Sequence, residues 1–481
     1  MTRPDPRAIV RARLADETGT IVKEAQTRVA LVYPSPYATA MSSLGFQQIY
    51  RLLNQRADVV AERAFLPDAD SSAGDAQLAT YETGRAVADF PIVALSVAFE
   101  LEVAGVIRVL EAARLPALTV DRTDHHPLVI AGGPLTFSNP WPLTPFVDAL
   151  VLGEADELIH VVIDTIAAAP TKRAARERLA ALPSVHVPGI SGDSLPPVAK
   201  AEDARLPAYA AIRTPNTELR SMFLIEAERG CSRGCTYCVM RRSTNGGMRL
   251  VPIETILSHV PEDAKRVGLV GAAVSDHPRI VTLLDALCAR GIGVGLSSLR
   301  PDRLTEPLVA ALARAGHQTL TTAMDGASER LMASIQRGAK VRHLERAAEL
   351  ARQHRLKRLK LYLMVGLPDE TDADIDELAA LARKLSKVIP LSFGVAPFVA
   401  KRNTPLDGQP FAGIDVVEAR LARLRSALKG RAELRPISAR WAWVEHRLAQ
   451  GGPAAGLAVL EAVRRGGKFS HYREALAAIG T

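Results

Sequence analysis

The sequence predicts an α/β protein with two successive regions of parallel sheet and a short helical region at its C-terminal end. Short apolar segments alternate with amphipathic segments of helical period through residues 1–185, and again through residues 221–411. Residues 186–220 are rich in Pro, Gly and Ser and interrupt this alternation, so we interpret them as a linker. Residues 412–481 show a helical pattern broken by Gly and Pro, which predicts a helical C-terminal region. Alternating strands and helices are typical of parallel sheets with right-handed crossovers.

The pattern of residues 1–185 predicts an open, doubly wound sheet of the Rossmann-like type. The candidate strands are short apolar segments at residues 29–32, 58–61, 92–96, 128–130 and 149–151. The candidate helices lie at residues 43–54, 101–113 and 156–168. Two glycine turns follow candidate strands, at Gly132-Gly133-Pro134 and at Gly153-Glu154, where such a fold places its ligand loops. A tight turn needs the same glycines, and the sequence leaves both interpretations open.

Six strand–helix units in residues 221–411 predict a partial (β/α)6 barrel. The candidate strands lie at residues 222–227, 266–270, 293–296, 319–322, 359–364 and 391–395. The clearest amphipathic helices lie at residues 306–315, 327–337, 342–354 and 372–385. A closed barrel of this kind takes eight units, so six units predict an open one. Functional residues of such sheets gather at the carboxyl ends of the strands, and we expect the site there.

Most of the net charge of +8 comes from the C-terminal end of the chain. Residues 401–481 contain 14 Lys and Arg against 7 Asp and Glu. Such an excess fits a surface for nucleic acid or for an acidic substrate, and it fits equally a solvated, arginine-rich helical tail. Aromatic residues are sparse in this segment and it holds no RNA-binding motif, so we favour the solvated tail. Nucleic acid is therefore not the partner that the sequence favours.

The sequence predicts a cytoplasmic protein without a membrane partner. No apolar run approaches the roughly 20 residues that a membrane span needs. The first seven residues, Met1-Thr-Arg-Pro-Asp-Pro-Arg7, are polar and lack the apolar core of a signal peptide. Thiols stay reduced in the cytoplasm, which suits cysteines that bind metal and argues against disulfides.

Three of the four cysteines lie in one short segment with the spacing CxxxCxxC, at Cys231, Cys235 and Cys238. Three thiolates suit a 4Fe-4S cluster that keeps one iron open, because a fully ligated cluster uses four. Zinc is the alternative, but it usually takes four ligands and the next histidine along the chain is His259. The spacing therefore predicts one cluster, and we interpret Cys288 as a thiol of the core. A zinc-stabilised, basic nucleic-acid-binding protein is the alternative from a different functional class.

The cysteine segment, with Tyr237 directly before its third cysteine, resembles the signature of the radical S-adenosylmethionine (SAM) superfamily. The resemblance implies that SAM binds the open iron through its amino and carboxylate groups. It also implies that an electron from the cluster cleaves SAM to methionine and a 5'-deoxyadenosyl radical. A reducing partner such as flavodoxin or ferredoxin is implied in the same way.

Further motifs resemble one uncharacterised branch of the radical SAM proteins that carry a cobalamin-binding domain. The motifs are Val32–Tyr37, Met41–Phe46, Ala131–Pro134 and Leu361–Thr371. Cobalamin domains often carry DxHxxG, whose histidine ligates cobalt, and residues 33–41 after the first candidate strand contain no histidine. The chain therefore either binds cobalamin without a histidine ligand or has lost the cofactor. Bound cobalamin would imply methyl transfer to an unactivated carbon, and its absence would imply another radical modification.

A methylthiotransferase that modifies RNA or protein is the nearest alternative enzyme. That family resembles the predicted barrel, but its N-terminal domain brings three further cysteines for a second cluster. Only Cys288 remains in this chain outside the cysteine segment. The sequence does not assign the catalytic residues, and it leaves open whether the substrate is a small molecule or a macromolecule.

The resemblance also implies where SAM is bound. The family usually has a GGE-like loop after its second strand, and here Gly271 is present without the glutamate, which implies a backbone contact to the SAM amino group. Ser298 and Arg300 end the third strand. A serine hydroxyl suits the SAM ribose, and an arginine suits the SAM carboxylate because arginine binds carboxylates bidentately. Asp325 follows the fourth strand, and Gly366 lies in a turn that resembles the family's adenine contact. Another acid after the fourth strand, Glu329, is equally well explained as a favourable charge at a helix N-terminus.

Three arginines beside the cysteines, Arg233, Arg241 and Arg242, have two interpretations. They are solvated charges, or they raise the reduction potential of a cluster and attract an acidic electron donor.

Overall fold

The computed structural model describes residues 5–68, 77–240 and 247–479, so that Arg241 and Arg242 lie outside the described part. Two compact units make up the chain. The first comprises Met1–Phe223 together with Gly451–Thr481, and the second comprises Leu224–Gln450.

The first unit is built on a six-stranded sheet in the order β2-β1-β3-β4-β5-β6. Its strands are β1 (Thr27–Pro36), β2 (Val59–Leu66), β3 (Ile92–Ser96), β4 (Leu128–Gly132), β5 (Ala149–Val151) and β6 (Val185–His186). All neighbours pair in parallel except β6, which runs antiparallel to β5. The central residues of β1 are buried without interruption, as expected for a strand covered on both faces. The order 2-1-3-4-5 is that of a doubly wound sheet with its switch point between β1 and β3, which confirms the predicted fold class.

The helices of the first unit in the N-terminal part of the chain are α1 (Pro6–Asp16), α2 (Tyr37–Ala40), α3 (Leu44–Gln55), α4 (Glu102–Ala112), α5 (Leu158–Ala167) and α6 (Lys172–Ala180). The three helices predicted in this region correspond to α3, α4 and α5. Helix α3 begins after Ser43, whose hydroxyl accepts a hydrogen bond from the Phe46 N–H as an N-cap.

Close backbone contacts within the first unit account for both predicted glycine turns. Gly133 has φ 107°, and a Cβ there would lie 2.7 Å from the Val97 carbonyl oxygen. Gly153 has φ 96°, and a Cβ there would lie 2.4 Å from the Ala199 nitrogen. Only glycine fits such positions, and the chain itself fills the space that a side chain would take. The tight-turn interpretation therefore explains these glycines without a ligand.

A buried ion triad fixes the edge of this sheet. Arg63 on β2 is fully buried, and its guanidinium group pairs with Glu17 at 2.7 Å and with Glu82 at 2.6 Å. The Glu17 carboxylate also accepts a hydrogen bond from the Tyr37 hydroxyl at 2.6 Å. A buried charge of this kind is tolerated only when its partners are in place, so the triad ties the segment after α1 to the sheet.

The second unit contains two sheets in the orders β11-β10-β7 and β12-β13-β14-β15, with a small antiparallel pair, β8-β9. The strands are β7 (Phe223–Glu226), β8 (Glu228–Arg229), β9 (Arg249–Leu250), β10 (Arg266–Val270), β11 (Gly293–Leu296), β12 (Thr319–Asp325), β13 (Arg358–Val365), β14 (Leu391–Pro397) and β15 (Ala432–Pro436). A parallel bridge between Leu299 and Thr322 joins the neighbouring ends of the two larger sheets. The strand order thus follows the chain, as in a partial barrel, and all six predicted strands are present.

The helices of the second unit are α7 (Ile253–His259), α8 (Ile280–Ala289), α9 (Glu306–Arg314), α10 (Glu329–Ser334), α11 (Val341–Gln353), α12 (Asp372–Leu385), α13 (Ile414–Leu428) and α14 (Ala439–Gln450). The last two helices, α15 (Pro453–Arg464) and α16 (Phe469–Ala478), belong to the first unit. Among the described residues, every helix is too short or too polar to cross a membrane.

One segment of the predicted helical region, residues 412–481, forms a strand that the sequence pattern did not predict. Ala432–Pro436 forms the strand β15, which pairs in parallel with β14 from Leu391 onward. The segment contains Glu and Arg and no residue of it is buried, so it lacks the apolar pattern by which a strand is recognised. Pairing with β14 forms this strand in spite of its sequence pattern, and charged residues with a proline suit the edge of a sheet.

We predict that Gly105→Ala destabilises the first unit, whereas Gly45→Ala does not. Both glycines lie in helices, α4 and α3. A Cβ at Gly105 would lie 2.0 Å from the Pro34 carbonyl oxygen, and a Cβ at Gly45 would meet nothing within 4 Å. We expect Gly105→Ala to lower the free energy of unfolding by about 3 kcal/mol through overpacking. Gly45→Ala should raise it by up to about 1 kcal/mol. Urea unfolding measures both changes, and equal stability of the two variants would contradict the close contact.

Candidate active site

The three cysteines lie in a loop at the carboxyl end of β7. The pair β8-β9 closes the base of this loop, because Glu228 pairs with Leu250 and Arg229 with Arg249. Cys235 is buried, and the other two cysteines are half-buried. Two backbone bonds shape the loop: the Thr236 N–H donates to the Ile335 carbonyl at 3.1 Å, and the Cys238 N–H donates to the Cys235 carbonyl at 3.3 Å. The loop is therefore fixed both to its own strand and to the segment after α10.

The chemistry of these donors fits a 4Fe-4S cluster. Burial raises the pKa of the Cys231 and Cys238 thiols, so that the protein alone favours their neutral forms. Bound iron deprotonates such thiols and takes them as thiolate ligands. Among the described residues, no group of three His, Cys, Asp or Glu side chains is arranged to hold a single metal ion. The thiolates of a cluster bind three different irons and need not converge on one point.

Tyr237, the aromatic residue of the motif, belongs to a half-buried network with Asp325 and Arg337. Its hydroxyl donates to Asp325 Oδ2 at 2.9 Å, and the Arg337 guanidinium forms an ion pair with the same carboxylate. Arg337 also interacts with the Cys235 thiol. Asp325 ends β12 with φ 61°, a left-handed conformation that is uncommon outside glycine. The structure thus assigns Asp325 partners within the protein, and its predicted contact with SAM stays a prediction.

Arg300 lies in a second charged network beside the cysteine loop. It is 4% exposed, and its Nη2 contacts the two carboxylate oxygens of Asp302 at 2.8 and 2.7 Å. Arg233 reaches Asp302 at 3.1 Å and Asp276 at 3.6 Å, so it is part of this network rather than a solvated charge. Within the described part of the chain, Nη1 of Arg300 is enclosed and has no hydrogen-bond partner. This donor suits a ligand carboxylate, the role predicted for Arg300, and the exposed Ser298 lies two residues before it.

Gly271 is needed because the Glu228 carboxyl group packs against it. A Cβ at Gly271 would lie 2.3 Å from Glu228 Oε1, and that oxygen accepts the Ala273 N–H at 2.6 Å. Glu228 is 1% exposed, and Oε2 has no hydrogen-bond partner among the described residues. Burial raises the pKa of Glu228 to about 7, and the charges of Glu226 and Asp276 add to this effect. Sequence reasoning missed Glu228, although an acid three residues before the first cysteine was a visible signal.

Gly366 lies in a turn that is fixed by a carboxylate and an arginine. It has φ 82°, and its N–H donates to Glu370 Oε1 at 2.8 Å. Arg420 on α13 pairs with the same oxygen at 2.8 Å. A Cβ at Gly366 would lie 3.1 Å from the Cβ of Ala412, so the chain after β14 covers that side of the turn. One arginine of the basic C-terminal region therefore supports this turn.

The predicted site residues share the carboxyl edge of the sheets in the second unit. Gly271 follows β10, Ser298 and Arg300 follow β11, Asp325 ends β12 and Gly366 follows β13. A cavity of about 540 Å³ lies at the opposite edge, where Arg266, Gly293 and Thr319 begin their strands. The cavity is therefore formed by the amino ends of the strands, whereas the predicted site residues lie at the carboxyl ends.

Two family models match the chain in succession. The model described as "Radical SAM proteins, N-terminal" matches residues 45–188, and the model described as "Radical SAM superfamily" matches residues 225–382. With the cysteine loop at the carboxyl end of the first barrel strand, these matches define an enzyme of the radical SAM class. The chain belongs to the radical SAM superfamily, as the resemblance of its cysteine motif predicts.

Several known proteins are similar to this chain. The uncharacterized protein MJ0966 of Methanocaldococcus jannaschii is 25% identical over 394 residues, which are 80% of each protein. A tRNA-2-methylthio-N(6)-dimethylallyladenosine synthase of Aquifex aeolicus is 25% identical over 212 residues, 41% of this chain and 48% of that protein. The structure of OxsB, a cobalamin-dependent SAM radical enzyme with aqua-cobalamin bound, superposes with a TM-score of 0.51 at 13% identity. That match covers 84% of this chain and 56% of OxsB, and the likeness is one of fold.

We predict that Glu228→Gln stabilises the cluster-free chain at pH 8. The pKa of Glu228 is raised from 4.5 to about 7, so the folded chain disfavours the ionised form. The free-energy cost of ionising Glu228 in the folded chain is absent below pH 4.5 and complete above about pH 7. Glutamine keeps an oxygen for the Ala273 N–H and carries no charge. We expect a gain of about 3 kcal/mol at pH 8 that shrinks toward zero at pH 5.

Unfolding of both proteins at the two pH values measures this difference. The control is Glu226→Gln, a neighbouring acid whose ion pair with Arg229 is 2.7 Å long and whose replacement should bring no such gain. If Glu228→Gln is less stable than the native chain at both pH values, the account of the enclosed carboxyl group is wrong.

Proposed function

We propose that this chain uses a 4Fe-4S cluster on Cys231, Cys235 and Cys238 to cleave SAM reductively and to modify a substrate by radical chemistry. The observation that carries the proposal is the loop of three thiols at the carboxyl end of β7, closed at its base by β8-β9. Three protein ligands leave one iron free for SAM. When bound, such a cluster supplies the electron that splits SAM into methionine and a 5'-deoxyadenosyl radical.

The side chains around the loop bind and orient SAM in this proposal. The unpartnered Nη1 of Arg300 donates to the SAM carboxylate, while Asp302 holds the guanidinium group from the other side. Ser298 offers a hydroxyl to the ribose. The turn at Gly366, held by Glu370 and Arg420, offers its backbone to the adenine ring. These groups follow two different strands, β11 and β13, so the folded sheet is what brings them together.

The electron comes from a separate protein in this proposal. The chain has four cysteines, and three of them lie in the loop, so it lacks the ligands for a second cluster of its own. A ferredoxin or flavodoxin is a partner of the right chemistry. The substrate stays open, as a small molecule or a macromolecule.

A cobalamin-dependent methyltransferase is the second candidate, and the strand order of the first unit favours it. The order 2-1-3-4-5 provides a switch point between β1 and β3, where such sheets bind cofactors. The residues there do not fit a cobalt ligated by histidine. Glu102 lies at this switch point instead. Its carboxylate accepts hydrogen bonds from the Ser35 hydroxyl at 3.0 Å and from the Ala98 N–H at 2.6 Å. We therefore derive no step through cobalamin.

Two other hypotheses are less well supported. A methylthiotransferase agrees with the similarity to the Aquifex aeolicus enzyme, but the cysteines for a second cluster are missing from this chain. A zinc-stabilised nucleic-acid-binding protein does not explain the match of residues 225–382 to the radical SAM family.

We predict that Cys235→Ala abolishes both cluster binding and SAM cleavage. The purified native chain should contain about four irons and release 5'-deoxyadenosine in the presence of dithionite and SAM. The variant should lose most of its iron and all of the cleavage. Cys288→Ala is the matched control, because Cys288 lies on the helix α8 and not in the cysteine loop, and this variant should retain both properties. Full SAM cleavage by Cys235→Ala would contradict the ligand assignment.

A further inference from the structure

The two larger sheets of the second unit part at the amino ends of their strands. Near the carboxyl ends, a bridge between Leu299 and Thr322 joins β11 to β12, and the Thr322 hydroxyl donates to the Leu299 carbonyl at 2.6 Å. The cavity of about 540 Å³ lies where β11 and β12 begin, and Gly293 and Gly295 contribute no side chains to fill it. Cavities of this size are in the range of small-molecule sites. We call it the amino-end cavity.

Much of the lining of the amino-end cavity is polar. Thr319 and Thr321 line it from β12, and Arg266 lines it from the start of β10. His317 also lines the cavity, and its Nε2 atom is enclosed without a hydrogen-bond partner in the described part of the chain. Burial lowers the pKa of His317, and the charge of Arg266 adds to this effect. The imidazole is therefore neutral near pH 7, and Arg266 supplies the positive charge.

Two cations beside the amino-end cavity have no acidic partner among the described residues, Arg266 and Lys360. Lys360 on β13 lies directly opposite Thr321, so that the two side chains share one face of the sheet. Arg358 belongs to the same face of β13, but its charge is paired with Glu433 at 2.8 Å. The positive charge beside the cavity is thus left without an acid of the protein to neutralise it.

We propose that the amino-end cavity is a second ligand site, which binds a small anion of the phosphate or carboxylate class. Arg266 holds the anion, because a guanidinium group binds phosphate and carboxylate oxygens bidentately. The hydroxyl groups of Thr319 and Thr321 donate hydrogen bonds to it, and Lys360 adds a second positive charge.

This ligand is a different molecule from the one that reacts at the cysteine loop. Thr319 and Asp325 lie at the two ends of β12, six residues apart, which is about 20 Å along an extended strand. The anion therefore binds too far from the carboxyl ends of the strands to take part in chemistry there. The inference does not depend on the proposed function, because it concerns only the amino ends.

The test is equilibrium binding of two probes, inorganic phosphate and succinate, to the full chain with its cluster, measured by anaerobic calorimetry. We expect the native chain to bind at least one probe with a Kd below about 1 mM. Arg266→Gln removes the guanidinium charge and should weaken this binding about 10-fold or more. The probe that binds more tightly assigns the site to phosphates or to carboxylates.

A second variant, Gly293→Val, fills the amino-end cavity and leaves both cations in place. A Cβ at Gly293 would lie 3.7 Å from its nearest atoms, and valine suits a strand, so the fold should accommodate the change. We expect a loss of anion binding similar to that of Arg266→Gln. Arg358→Gln is the matched control, because the charge of Arg358 is already paired, and it should change the Kd by less than about twofold.

Three results would overturn the inference. The first is a native chain that binds neither probe. The second is native affinity in both Arg266→Gln and Gly293→Val. The third is equal weakening by Arg266→Gln and Arg358→Gln with no effect of Gly293→Val, which would show that the anion is attracted by the general charge of this face and does not enter the cavity.

Discussion

Ion pairs between largely enclosed side chains at the carboxyl ends of the strands hold the loops of the second unit in place. Asp325 accepts a hydrogen bond from Tyr237, 88 residues away in sequence, and pairs with Arg337, so that the cysteine loop is connected to the end of β12. Arg300 and Asp302 bring the end of β11 to the same loop through Arg233. Such pairs cost free energy when one partner is missing, so they specify one arrangement of the loops rather than adding much stability.

These ion pairs also determine which charges at the site are neutralised within the protein. The carboxylates of Asp302 and Asp325 are paired with arginines, and Nη1 of Arg300 is enclosed without a hydrogen-bond partner among the described residues. Glu228 is the exception, an enclosed acid with no cation among the described residues.

Much of the fold follows from the sequence because buried parallel strands are short, apolar and regularly spaced. All six strands of the barrel were predictable in this way, and the exception was β15, whose charged residues carry no apolar pattern. The cysteines were predictable because their spacing is itself the chemical requirement. The assignment of Tyr237 and Asp325 to the site stays a prediction, and their hydrogen bond to each other was not predictable, because 88 residues separate them. Arg337 and Glu228 were also missed, because their contacts with Asp325 and with the Ala273 backbone form only in the folded chain.

Elemental analysis for iron, zinc and cobalt, on protein purified without oxygen from cobalamin-fed cells, tests the central claim most directly. We predict about four irons per chain and little zinc. Cobalt at about one per chain would add support for the cobalamin-dependent candidate. Stoichiometric zinc with little iron would contradict the assignment of the cysteine loop as the site of a 4Fe-4S cluster.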